Sequence, residues 1–174
     1  MCGIIAIARR RSERPVPSPS EILALIEPVA AALGGSLSGP DPVGAIGGAA
    51  AALADADRLL RGVAGLRVLV GEPTLTTEIR RVMELVGQAV AGIEGELDDE
   101  HAQAIVRLDL ESVNAALIAV KDAQWAIERD RLRAAEAVAE LAGPEAGLAA
   151  YEAYLSIQQA LSALDRLEVR GRDS

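Results

Sequence analysis

Apolar residues recur along this chain at three- and four-residue steps, the repeat of a helix that buries one stripe. The clearest run is Thr74 to Leu97, where Leu75, Ile79, Val82, Val86, Val90 and Ile93 share a face. Gly87, Gly92 and Gly95 weaken it, each by about 1 kcal/mol relative to alanine. A second run, from Asp99 to Ala142, predicts one helix roughly 65 Å long at 1.5 Å per residue. Its seam is Leu110, Val113, Leu117, Val120, Ile127, Ala134, Val138 and Leu141, a 3,4 repeat broken at Gln124 and Arg131. Such a seam suits antiparallel packing against the preceding helix. Gly143-Pro144 stops the run, and a last helix from about Glu145 to Glu168 takes Leu148, Tyr151, Leu155, Ile157, Leu161, Leu164 and Leu167 as its apolar positions.

Upstream the pattern is shorter and more broken. Arg9 to Arg14 is basic, and Pro15 to Ser20 is proline-rich, which predicts an extended, solvent-facing linker over 12–20. Ser20-Glu21 opens a helical run through Ile22, Leu23, Leu25, Ile26, Val29 and Leu33, interrupted at Pro28 and ended by Gly34-Gly35. Gly39 to Gly48 is turn-rich but matches no phosphate-binding spacing, so it is expected to be a flexible connection. Ala49 to Arg61 predicts an alanine-rich helix capped by Gly62. Leu66 to Val70 suits either a strand or a short helix, and context favours helix.

Composition narrows the class. Hydrophobic residues make up 51% of the 174 but aromatics only 2%, with no phenylalanine, which suits closely packed helices more than a thick sandwich core. A net charge of −9 disfavours nucleic acid and anionic membranes as partners. No signal-like start and no bilayer-length apolar stretch is present, so a cytoplasmic location is expected. Asp98-Asp99-Glu100-His101 reads as a helix N-cap with an acidic first turn. Its consecutive carboxylates do not converge as metal ligands do, so neither metal nor cofactor is expected. The lone Trp125 reads as a packing residue.

Candidate chemistry sits at the start. Cys2 is the only cysteine, so no intrachain disulfide can form, and removal of Met1 would give it a free α-amino group. A thiol with a pKa near ~8.5 needs a proton acceptor to become a nucleophile, and an α-amine of pKa about 7.7–8.0 supplies one. Gly3 beside it would let a substrate approach the backbone.

Two segments together, Cys2-Gly3-Ile4-Ile5 and Leu164-Asp165-Arg166-Leu167-Glu168-Val169-Arg170-Gly171-Arg172-Asp173-Ser174, resemble the opening of class II, N-terminal-nucleophile glutamine amidotransferases. The glutamine–fructose-6-phosphate aminotransferase branch, also called glucosamine-6-phosphate synthase, is the nearest match. Its Cys-Gly-Ile strand is followed by a helix ending in Leu-Glu-Tyr-Arg-Gly-Tyr-Asp-Ser. Val169 and Arg172 stand where that pattern has tyrosines, and residues 9–148 separate two segments that the family keeps close. The helical patterns predict a mainly α chain, and the resemblance implies that its long antiparallel helices are inserted between the first strand (1–8) and first helix (149–174) of an incomplete Ntn-hydrolase α+β domain. It also implies that Cys2 attacks the side-chain amide of glutamine, that Arg170 and Gly171 shape the glutamine pocket, and that Asp173 and Ser174 form a structural turn. A sugar phosphate would be bound by domains beyond Ser174.

The family's oxyanion Asn-Gly pair has no counterpart, because the only asparagine, Asn114, precedes Ala115. Nor does its Arg-Trp segment, since Trp125 follows Gln124. The 174 residues alone are therefore expected to lack useful glutaminase activity. The alternative is a helical interaction or oligomerisation module without catalytic activity, supported by the heptad-like seam and alanine-rich faces and leaving a homo-oligomer open.

Overall fold

The computed structural model describes residues 6–8, 12–98 and 109–172, with side chains described as far as Leu164. Every regular element among the described residues is helical, so the chain is mainly α. The Ntn-hydrolase α+β domain is corrected by this finding, because the described residues contain no strand from which to build its sheet. Residues 6–8, the described part of the expected first strand, are exposed and outside regular structure.

Capping chemistry sets the early boundaries. Helix α1 (Pro19–Ile26) starts at Ser18, whose Oγ accepts the Glu21 N–H at 3.3 Å while the Glu21 carboxylate accepts the Ser18 N–H at 2.7 Å. This reciprocal pair satisfies two amides that the first turn leaves without partners, and Pro19 at the first helical position lacks one anyway. Pro28 separates α1 from α2 (Val29–Leu33) as expected. Helix α3 (Pro42–Leu59) begins inside the stretch expected to be a flexible connection. Asp41 is the reason, its carboxylate accepting the Gly44 N–H at 2.9 Å ahead of Pro42.

Residues 12–16 of the proline-rich segment are exposed and outside regular structure, and the segment is anchored at two points. Arg14 donates to the carbonyls of Arg58 and Leu59, both at 2.7 Å, and of Arg61 at 3.2 Å, and Pro17 is buried. A guanidinium on the last carbonyls of α3 satisfies acceptors the helix cannot and complements its dipole.

Helix α4 (Gly62–Gly71) resolves the strand-or-helix ambiguity in favour of helix. It turns from α3 within two residues, and Gly62 at φ +68° makes that turn. Gly65 then rides directly over the end of α3, where a Cβ would lie 1.8 Å from the Leu60 carbonyl oxygen.

Helix α5 (Pro73–Asp98) buries all six predicted positions, together with Met83. Asp98 is the last residue of this helix. Asp99, Glu100 and His101 lie outside the described residues.

The long helix is corrected in three ways. Its described part begins at Leu110, where Asp109 is an N-cap accepting the Ser112 N–H at 3.3 Å. Bonds from Ser112 hold the Asp109 carboxyl below the usual aspartate value. Second, α6 (Leu110–Trp125) packs chiefly against α3, with α5 a lesser neighbour. Third, the helix passes through a π-helical segment (Ala126–Leu132) before resuming as α7 (Arg133–Ala142).

The π segment changes which residues face inward. A 3,4 repeat continued from Ile127 would bury positions 131 and 134. Leu132 and Ala135 are buried instead, while Arg131 and Ala134 are only half-buried. One extra residue per turn accounts for the shift, as i→i+5 bonding inserts it without breaking the rod. The Arg133 N–H donating to the Glu128 carbonyl is one such bond.

Gly143, at φ +83°, ends α7, and α8 (Leu148–Arg172) returns along α7 and α4. The core runs from Ile22 and Leu33 through Ile46, Leu53 and Ile79 to Val113, Ile127 and Val138, and Leu155 of α8 joins it. Among the described residues no helix is long and apolar enough to cross a membrane.

Candidate functional site

Asp57 lies near the end of α3 at a position where the helix repeat calls for an apolar residue, and it is 2% exposed. A carboxylate so far from water must be paired. Arg61, one turn on, donates from Nε at 2.8 Å, and Arg131 donates from Nε at 2.7 Å to the other oxygen. Arg131 occupies one of the two breaks in the predicted seam, and the π segment places it at the edge of the helix–helix contact, within reach of Asp57. The second break is also explained. Gln124 donates to the Met83 carbonyl at 3.1 Å, where Gly87 leaves room for its amide, tying α6 to α5.

Beside this ion cluster a groove of about 850 Å³ runs between α4, the π segment, α7 and α8. Its floor is apolar, from Leu60, Leu66, Leu69 and Leu155. Its rim carries Trp125, Arg129, Arg131 and Arg133 from the long helix and Gln158, Gln159 and Ser162 from α8. Trp125, Arg129 and Arg133 follow one another at four-residue steps, so they stand in a row along the groove. Trp125 is 53% exposed, so the expectation that it is a packing residue is corrected.

Helix α8 has two apolar faces. The inner one carries Tyr151 and Leu155 onto the core. The outer one carries Ile157, Leu161 and Leu164, each 44–48% exposed, at spacings of four and three. Of the predicted apolar positions of α8 whose side chains are described, only Leu155 is buried. From Leu148 to Leu164 the one charged residue is Glu152, and it pairs with Arg67 of α4.

None of the residues carried over from the amidotransferase resemblance has a described side chain. Cys2, Asp173 and Ser174 lie outside the described residues. Arg170 and Gly171 belong to the last turn of α8, which continues through Arg172. No group of acidic, histidine or cysteine side chains suited to a metal ion occurs among the described residues.

Among the described residues the geometry defines a helical bundle with an arginine-rimmed groove and an apolar outer face on α8. No family model matches the chain, and neither the curated proteins nor the solved structures yield a match. The amidotransferase relation is thus overturned by the helical fold and has no relative to support it.

Sequence reasoning passed over Asp57, Arg129 and Arg133. A signal for the first was present. Asp57 follows Leu53 by four residues and Arg131 follows Ile127 by four, so opposite charges each occupy an apolar position of a helical repeat.

Proposed function

We propose that this chain is a helical interaction module that self-associates through the outer face of α8. The observation that carries this reading is the exposed row Ile157, Leu161 and Leu164 on a helix already packed on its opposite side. An apolar helix stripe favours burial against a neighbour, and the outer stripe of α8 has none among the described residues.

A second copy is the occupant that the chemistry of the face favours. The chain as a whole carries −9, which repels another copy wherever charged surfaces meet. Over the described outer face of α8 no charge opposes contact. Ala153 and Ala160 lie beside the larger side chains and allow two helices to approach closely. Two α8 helices crossing about a twofold axis near Leu161 would place Ile157 of one copy against Leu164 of the other, as an isologous contact requires. Each large aliphatic side chain buried there contributes about 1.5–3 kcal/mol.

Light scattering coupled to gel filtration tests the reading. The chain is expected at about twice its 18.1 kDa mass, and the Leu161→Glu variant at the single mass with unchanged helicity. A single-chain mass for the unaltered protein at high micromolar concentration would overturn self-association.

A further inference from the structure

The groove on the inner side of α8 is a separate feature. From it we infer a binding site for a small organic anion that combines a planar ring with a phosphate or carboxylate group. Three observations converge on that chemistry. The first is volume, since about 850 Å³ is the size of a small-molecule pocket and far exceeds what one water or ion fills.

The second is charge. On a chain of net −9, the groove is lined by Arg129, Arg131 and Arg133 against the single acidic residue Asp130. Of the nearby carboxylates, Glu136 pairs with Arg80, Glu152 with Arg67, and Asp57 with Arg61 and with Arg131, whose charge it offsets, so that Arg129 and Arg133 carry the groove's positive charge. Among the described residues neither Arg129 nor Arg133 enters an ion pair. A guanidinium offers planar paired donors that match phosphate and carboxylate oxygens.

The third is the ring surface. Trp125 stands one helical turn before Arg129 and is 53% exposed over an apolar floor of leucines. A ligand ring can stack on the indole while its anionic group reaches Arg129 and Arg133. Gln158 and Ser162 on the facing helix supply neutral polar groups for heteroatoms at the ring edge. The π segment makes the arrangement possible, because its extra residue turns Arg131 toward Asp57 and leaves Arg129 and Arg133 on the groove side. A π-bulge is costly to keep in a helix and is frequent where a ligand binds.

Trp125 is the only tryptophan, so its fluorescence reports on this groove directly. The full chain is titrated with phenyl phosphate, excited at 295 nm to avoid absorption by the ligand. Inorganic phosphate, cyclohexyl phosphate and benzyl alcohol serve as probes lacking the ring, its planarity and the charge in turn. The expected result is a saturable change with phenyl phosphate, at least tenfold weaker binding of the other three, and at least tenfold weaker binding of phenyl phosphate to Arg129→Gln/Arg133→Gln. Both arginines are exposed, so that variant is expected to keep its helicity, and circular dichroism checks this. Calorimetric titration of Trp125→Phe should give intermediate affinity. Ring stacking that does not need the anionic group is excluded by the benzyl alcohol arm, and 3-phenylpropionate in place of phenyl phosphate separates carboxylate from phosphate recognition. No saturable change, a change that inorganic phosphate reproduces, or binding unaltered in the double variant would overturn the assignment.

Discussion

Helices α5 and α8 are nearly the same length and both carry apolar residues at helical spacing, yet they end in opposite situations. In α5 every predicted apolar position is buried, and the other side is mostly polar apart from Leu85, with Glu78 bonded to Arg81 and Glu94 to Lys121. In α8 the inner side is packed and the outer side presents Ile157, Leu161 and Leu164 to solvent. The difference teaches that periodicity states which residues favour burial, while the number of neighbours decides which achieve it. Helix α5 has one apolar stripe and neighbours on that side, whereas α8 has two stripes and neighbours for one.

Truncation separates the two situations most sharply. Ile79→Ala in α5 removes a fully buried side chain and should cost about 4 kcal/mol in chemical denaturation, since the tight core can only partly close the cavity. A loss below about 1 kcal/mol would show that α5 is not the packed helix described. Arg131→Met tests the fixing of the π segment to α3. It leaves Asp57 buried with Arg61 alone, and a loss of about 3 kcal/mol is expected, at the low end for a broken buried pair because one partner remains. Asp57→Asn should recover part of it in that background, because the charge left behind is then removed.

A smaller effect belongs to the α1 cap. Bonds from the Ser18 backbone and hydroxyl hold the Glu21 carboxyl below its usual value. A depressed acid contributes stability above its unfolded value, about 4.3 for glutamate, and loses that contribution as pH falls through the folded value. Ser18→Ala should therefore cost about 1 kcal/mol at neutral pH and less in acid, as two denaturation series would reveal. Smallest of all, Leu161→Ala on the outer face of α8 should change the stability of dilute protein by less than about 0.5 kcal/mol. A loss comparable to Ile79→Ala would mean that this face is already covered within the chain.

The sequence was informative where one residue pattern had one physical outcome. The α5 stripe, the interruption at Pro28 and the stop at Gly143 all follow from local geometry. The seam of α6 was readable as far as Ile127, but the π insertion was not, because nothing in Ala126 to Leu132 departs from an ordinary helical composition. The i→i+5 bonding and the burial of Leu132 and Ala135 reveal it. Asp41-Pro42 was a legible start signal that the surrounding glycines obscured. The motif resemblance misled for a different reason, since short matches at the two ends carry no information on how the residues between them pack. The groove is not legible in the sequence because its parts come from α4, α6, the π segment, α7 and α8, whose juxtaposition no local pattern encodes.

The central claim is that the outer face of α8 meets its own copy, and symmetric cross-linking tests it most directly. In a Cys2→Ser background, Leu161→Cys places the only thiol near the proposed twofold axis, where Cα separations within about 7 Å permit a disulfide. Mild oxidation should convert most of this variant to a covalent dimer, while Glu84→Cys on the exposed side of α5 stays monomeric. No dimer from Leu161→Cys, or equal dimer from both positions, would contradict the claim.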